Sequence, residues 1–467
     1  MPHRRWIVAV VALAVAARVA AILVLQSHTV PRSTYEHGEI AANLLDGRGF
    51  SIRFLGVDGP TSQQAPVYPL LVAASFAVGG VETPAALLLL QLGQAILGGL
   101  TALAAMLLAR EAVPGRPRMA VLAGLVVALH PTLVYSATHV QVACLAALLV
   151  TASFAVSYRS ARTGNRADRL ATGALLGLLT LTDPILALIA PGICWIWIRA
   201  RGLVGALRPL ATIGLVAALV VSPWVARNYR VHGEFVPVKS TFGYAFWQGN
   251  CSLSEGTDKV VRPSVDRVLE ARAGGSLAER NRALWDARHE AGYIDDIALT
   301  EADDLLLSSL TEPARSRLLF RRALDDLRAD PARYPRLCLR RLLAFVLWDD
   351  TNPKTRSLIY RAGHLGLTLL ALLGWIASGP EARRPLAPTL LAAGLIAGFH
   401  ALTIVSARFH VPIEPLAAVW AAGIAAGSRP EASAEVALHK ADRNRMIPAI
   451  RTRSGAAARG RSPAVGR

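Results

Sequence analysis

The stretch YEHGEIAANLLDGRGF, starting at Tyr35, sets Glu36, Glu39 and Asp46 on one short segment just after an apolar run that ends near Gln26. From Thr34 to Leu45 the apolar and small positions Tyr35, Ile40, Ala41, Leu44 and Leu45 recur at near-helical spacing. Such a segment lies along a membrane interface with its acids turned to water or to a cavity. Carboxylates held there are placed to take a proton from an amphiphilic substrate. On pattern alone, a solvated helix face accounts for them too. Next come GRGF and then GPTSQQAPVYPLL, where Pro60, Pro66 and Pro69 make a stiff loop.

The elements that must position these acids are membrane helices. A chain of 467 residues that is 53% hydrophobic and 18% charged, with mean hydropathy +0.40, does not read as a soluble globule. Its net charge of +18 comes from Arg clusters between apolar runs, without the interleaved aromatics of a nucleic-acid binder. A bilayer core about 30 Å thick needs roughly 20 apolar residues in helix. That ruler gives ten spans, near 6–25, 84–109, 119–138, 140–158, 169–182, 185–198, 208–224, 357–378, 386–405 and 411–427. The first has a signal-peptide-like start but no convincing cleavage site, so it reads as an uncleaved span. REAVPGRPR, YRSARTGNRADR, IRARGLVGALRP and SGPEARRP all carry Arg, whereas HPTLVYSATH and TLTDP carry no Lys or Arg. The asymmetry predicts a multi-pass cell-membrane protein with both termini cytoplasmic and two large outer segments, 27–68 and 225–353. Residues 1–427 form the membrane body. Residues 428–467, with nine Lys or Arg against three acids, read as a disordered basic tail, solvated or resting on anionic lipid. Cys251 and Cys338 share the large outer segment and are disulfide candidates in an oxidising compartment.

YEHGEIAANLLDGRGFS followed by GPTSQQAPVYPLLVA resembles the first outer loop of the bacterial membrane glycosyltransferases of family 39, relatives of protein O-mannosyltransferases and lipid A aminoarabinose transferases. SPWVARNYRVHGEFVPVKSTFGYAFWQGN from Ser222, DPARYPRLCLRRLLAFVLW from Asp330 and ARFHVPIEPLAAVWAA from Ala407 resemble later segments of the same family, in order. The resemblance spans about residues 6–427. It implies an all-α polytopic membrane protein with a C-type glycosyltransferase fold, about ten transmembrane helices and an outer region of mixed loop and helix. The implied reaction moves a sugar, with inversion, from a polyprenyl-phosphate donor to an acceptor hydroxyl or similar group on the outer face. The acceptor is a protein, lipid or glycan. Membrane lipids are the other expected partners, nucleic acid is not, and no cofactor is called for, with dependence on a divalent metal left open. The family's Glu-x-Gly-x-Ile-Ala pattern falls on Glu36, Gly38, Ile40 and Ala41, so Glu36 is the implied base and Glu39 the neighbour most easily confused with it.

A leaving phosphate at the edge of a low-dielectric cavity needs cations. Arg227, Lys239 and Arg408 occur at outer ends of spans and Arg18 within the first span. Interfacial anchoring is the competing reading for Arg227 and Arg408, and snorkelling for Arg18. Two departures from the family matter. Ala143 stands where a second acid is common, with His139 and Gln141 as nearby substitutes. Asp183, in LTDP, stands where a cation is usual, as a second acidic site or a helix cap. The amphipathic stretches within 225–353 read as a groove cover or a structural brace. A non-catalytic membrane scaffold is the alternative to the enzyme. A transporter is less favoured, because the spans offer few polar groups beyond Arg18, His139 and His400.

Overall fold

The structure, a computed structural model, describes residues 4–260, 264–272 and 274–427. The basic tail expected over 428–467 lies outside them. From the N-terminus, α1 (Arg4–Leu25) leads into α2 (Tyr35–Leu45), a hairpin of β1 (Ser51–Phe54) and β2 (Val57–Pro60), and α3 (Val67–Gly79). The bundle continues through α4 (Pro84–Ala112), α5 (Pro117–Leu129), α6 (Pro131–Ser136), α7 (Ala143–Thr163), α8 (Arg166–Thr180) and α9 (Ala190–His232). A loop-rich segment follows with α10 (Phe242–Asn250), β3 (Lys259–Val260), α11 (Ser264–Glu270), α12 (Leu277–Glu290), β4 (Gly292–Tyr293), α13 (Ile294–Ala298), α14 (Glu301–Ser308), α15 (Glu312–Ala329) and α16 (Arg333–Val346). The bundle closes with α17 (Leu358–Ala377), α18 (Pro380–Leu402) and α19 (Glu414–Ala421).

Six described helical runs are long and apolar enough to cross a bilayer, and the chain is a multi-pass membrane protein. Helix is the form such segments take because it satisfies every backbone donor within the segment. Seven of the ten expected spans fall on these runs, those at 119–138, 169–182 and 411–427 fall on shorter helices, and three differences stand out. The pair 185–198 and 208–224 joins into one run, Pro184–His232, broken where Gly202 takes φ 70 and ψ 169. The span at 119–138 divides into α5 and α6 at Pro131, which cannot donate to the ladder of a continuing helix. Beyond the expected spans, α3 runs antiparallel to the first half of α4: Gly79 abuts Ala86, and the Tyr68 hydroxyl donates to Gln94 Oε1 at 2.8 Å.

Small residues let the bundle close. Val10 and Ala14 of α1, Ala102 and Ala105 of α4, and Ala120, Ala123 and Val127 of α5 share one buried core. Lipid tails are as apolar as these side chains, so close packing and hydrogen bonds hold such helices together. At one end of the bundle the Arg-bearing loops meet. Glu111 pairs with Arg110 and Arg162, Asp168 with Arg159, and Arg116 with Glu381. At the other end the loop-rich segment packs α10 on α15 through Phe246, Trp247, Leu319 and Ala323. There α16 acts as a brace. Its Arg341 is 0% exposed and donates to the carbonyls of Ala401, Gly249 and Thr403 at 2.8, 2.9 and 2.6 Å. Leu339, Leu342 and Leu343 on the same helix stay exposed, as on an interfacial helix. All four cysteines are free, Cys251 and Cys338 included.

Candidate active site

The loop after α2 is tied to the end of α9 by a closed polar knot. Arg227 donates to the carbonyls of Thr61 (2.6 Å) and Phe50 (2.9 Å) and to Ser62 Oγ (3.1 Å), and its guanidinium lies over the Trp224 ring. Asn228, fully buried, accepts from Ser62 Oγ at 2.7 Å and donates to the carbonyls of Val236 and Val238. Glu312 of α15 completes the knot, accepting from Ser62 N–H at 2.8 Å and from the hydroxyls of Thr61 and Ser240. Each charge here meets a protein partner, so Arg227 is bound to loop carbonyls rather than presented to a cavity.

The two glutamates of α2 differ in the same way. Glu39 accepts the Arg53 backbone N–H at 2.6 Å and so pins the β1–β2 hairpin to the helix. No hydrogen bond or ion pair of the half-buried Glu36 occurs among the described residues, and its charge reaches Tyr35, Lys239, Tyr244 and Tyr293. Tyr35 begins the helix at φ 48, a strained setting for an aromatic residue, between Trp285 and the Arg288 guanidinium. Gly38 is required where it stands, because an added Cβ would lie 2.2 Å from the Thr34 side chain. Lys239 reaches Gln64 Oε1 at 3.2 Å. Burial lowers its pKa; Asp183 and Glu36 pull it up while Arg408 pushes it down. Asp183 also caps the turn after α8, accepting from Ile185 N–H at 3.2 Å.

Beside α2 lies a cavity lined by Tyr135, Gln141, Arg288, Asn352, Lys354 and Arg408, among others. Lys354 sits 5.7 Å from the centres of the Tyr135 and Trp285 rings, and Arg288 lies 4.6 Å from that of Tyr35. Lys259, 2% exposed, rests 3.6 Å over the ring of its cross-strand partner Tyr293, and its Nζ has no hydrogen-bond partner. Among the described residues none of Lys259, Arg288, Lys354 or Arg408 forms a salt bridge with a carboxylate. Lys354 is repelled by the other three, while Asp258 favours the charges of Arg288 and Lys259. Burial first, then Arg288, Arg408 and Lys259, hold the Lys354 amine well below its usual range, and burial pushes Lys259 down to about 8. His37 on α2 is held at about 3 by burial, with Arg408 and Lys239 adding to it, and is therefore neutral. Such a crowd of cations favours an anion.

Of the residues singled out from sequence, Asp183, Arg408 and Glu36 each act electrostatically on Lys239. Arg18 does not line the cavity. It is 1% exposed, crosses Gly98, and donates to Ala14 O at 2.9 Å and to Val127 O and Ala128 O at 3.1 and 3.2 Å. Two of those carbonyls are at the C-terminal end of α5, where the helix dipole favours a cation. His139 stacks on Trp285 at 4.7 Å, and Gln141 lines the cavity. Arg288, Lys354 and Lys259 were missed, yet a signal existed. The chain has only four lysines, Lys239, Lys259, Lys354 and Lys440. The first three converge here, in a sequence that uses Arg almost everywhere else.

No family model and no curated protein sequence matches the chain. Among solved structures it is similar to an archaeal oligosaccharyltransferase, AglB from Archaeoglobus fulgidus in complex with an inhibitory peptide and a dolichol-phosphate. The TM-score is 0.51 at 15% identity, over 96% of this chain and 53% of that one. The fold is that of the C-type glycosyltransferases. ArnT from Cupriavidus metallidurans, bound to undecaprenyl phosphate, matches at TM-score 0.43 and 18% identity, over 94% of this chain and 81% of that one. The chain spans about half the length of the oligosaccharyltransferase it matches.

Proposed function

We propose that this chain is a membrane glycosyltransferase akin to family 39, acting at the outer face with both termini cytoplasmic. It moves a sugar from a polyprenyl-phosphate donor to a protein, lipid or glycan acceptor. The observation that carries the reading is the cavity of cations without carboxylate partners beside Glu36. The dolichol-phosphate held by the archaeal oligosaccharyltransferase agrees with it.

In this reading Arg408, Lys354 and Arg288 hold the donor phosphate, with Lys259 and Lys239 adding field, while Arg227 and Arg18 keep the framework in register. Glu36 takes the proton from the acceptor hydroxyl. The acceptor oxygen then bonds to the anomeric carbon from the face opposite the phosphate, and the carbon–oxygen bond to phosphate breaks with its electron pair. The cations stabilise the charge that develops on the leaving phosphate. Asp183 favours the charge of Lys239 electrostatically.

Glu36→Gln should keep the fold and donor binding while lowering sugar transfer by roughly 10²- to 10⁴-fold, the usual cost of losing a general base. Sugar transfer from a polyprenyl-phosphate donor by purified protein measures it. Parental activity in the variant removes Glu36 from the mechanism. Ala143, where the family commonly has an acid, favours a second reading, a scaffold that binds the lipid phosphate without turnover. Donor binding with no transfer to any acceptor by the parent protein would select it.

A further inference from the structure

Behind the cavity, on the far side of Tyr360, three imidazoles and one carboxylate meet in the bundle. His130 follows α5, His364 belongs to α17, and His410 and Glu414 flank the turn into α19. Their exposures are 6%, 5%, 3% and 3%. His364 Nδ1 and His410 Nδ1 lie 3.4 and 3.0 Å from the same oxygen, Glu414 Oε1, with the two ring centres 4.2 Å apart. His130 Nε2 stands 3.4 Å from the other oxygen, Oε2, and neither atom has a hydrogen-bond partner.

The outer nitrogens decide what the inner ones offer. His364 Nε2 is 2.9 Å from the Val346 carbonyl, which only accepts, so that nitrogen carries a hydrogen. His410 Nε2 is 2.7 Å from the Tyr360 hydroxyl, whose own proton has the Ala407 carbonyl at 3.2 Å. With both outer nitrogens donating, each neutral ring turns its Nδ1 lone pair toward one carboxylate oxygen. Lone pairs against a carboxylate repel unless a cation stands between them. Metal-binding histidines have this arrangement, the far N–H fixed by a carbonyl or hydroxyl and the near nitrogen free to ligate.

We infer that His364, His410 and Glu414 bind a transition-metal ion of zinc-like preference, with His130 steadying the second carboxylate oxygen. The candidate ligand atoms all lie within 4.8 Å of one another. Bonds of about 2.0–2.2 Å in a tetrahedral site give ligand–ligand edges of about 3.3–3.6 Å, close to the His-to-Glu separations here. Two imidazoles and one carboxylate suit zinc and its first-row neighbours; magnesium and calcium take all-oxygen sites. An apolar cavity bordered by Leu367, Trp375 and Trp420 opens beside the three residues and leaves room for a non-protein fourth ligand. The ion would staple α17 to α19. It would also fix the turn that carries Arg408, two residues before His410, without itself touching the donor. This inference is independent of the sugar-transfer reading, because metal content needs no substrate.

The test uses the full chain, purified without a histidine tag, stripped with chelator and then titrated with zinc or cobalt(II). About one tight equivalent per chain is expected, with visible cobalt absorbance and a rise in Tm on zinc addition. His364→Asn and Glu414→Gln should each lose the equivalent and the absorbance. Should those variants fail to fold, the parent protein alone decides. A correctly folded parent without stoichiometric metal, cobalt absorbance or Tm rise overturns the site. So does full metal binding in a His364→Asn variant of parental Tm, and so does a Tm that responds to pH but not to zinc, which would make the cluster a protonated imidazole–carboxylate pair.

Discussion

Arg227 and Lys354 are both cations at the loop-bearing end of the bundle, and their surroundings are opposite. Around Arg227, carbonyls, a serine, an asparagine and the buried Glu312 close a network in which each charge has a partner. Around Lys354 the neighbours are aromatic faces and further cations. A buried charge costs several kcal/mol unless compensated. The knot compensates its charges internally and so stabilises the fold. Lys354 has no such compensation among its charged neighbours, and an anionic ligand is the class that would supply it. The lesson concerns the pairing of charges: Arg227 lies near the end of the Pro184–His232 run and Lys354 in the turn before α17.

Breaking the knot should have the largest effect. Arg227→Met leaves the Thr61 and Phe50 carbonyls without their donor and should cost about 3 kcal/mol of stability, read as a lowered Tm of protein in lipid nanodiscs. An unchanged Tm would erase the distinction between knot and cavity.

Titration sharpens the comparison from the other side. Lys259, pushed down to about 8 by burial, is protonated below that pH and loses its charge above it. A lipid phosphate monoester has its second pKa at about 6, so from about pH 8 upward it is a dianion whose charge no longer changes. Affinity for polyprenyl phosphate should therefore fall as pH rises through 8, by about tenfold over two pH units. The depressed Lys354 has the same sign. Lys259→Arg should remove the step near pH 8. Affinity rising with pH would contradict the assignment.

The smallest effect belongs to Glu39. Glu39→Gln retains an acceptor for the Arg53 N–H, so it should cost about 1 kcal/mol or less and leave donor affinity unchanged. A loss of sugar transfer as deep as that of Glu36→Gln would make the pair of acids one functional unit.

Much of the bundle was legible because a membrane helix is set by local composition. The span read at 84–109 is α4, and that at 357–378 is α17. What escaped was α3, whose 13 residues are too short for the span ruler and begin just after Pro66, in a stretch read as loop. Some residues named from motifs do share one neighbourhood. Asp183, Arg408 and Glu36 all act on Lys239. Sequence position near a span end does not reveal whether a guanidinium is already bound to carbonyls, which is why Arg18 and Arg227 looked like Arg408. Arg288 and Lys354 sit in polar segments without a motif, and only the scarcity of lysine pointed to them. The cluster of His130, His364, His410 and Glu414 draws on three separate parts of the chain, so no local spacing announces it.

The central claim is that unpartnered cations mark the donor site, and Lys354→Met tests it most directly. The substitution keeps the length of the side chain and removes an amine whose charged neighbours are all cations. Polyprenyl phosphate binding and Tm are measured together on purified protein. The account predicts affinity weakened by roughly 10- to 100-fold, the worth of a charged hydrogen bond, with a Tm equal to or above that of the parent. Unchanged affinity at matched stability would contradict it.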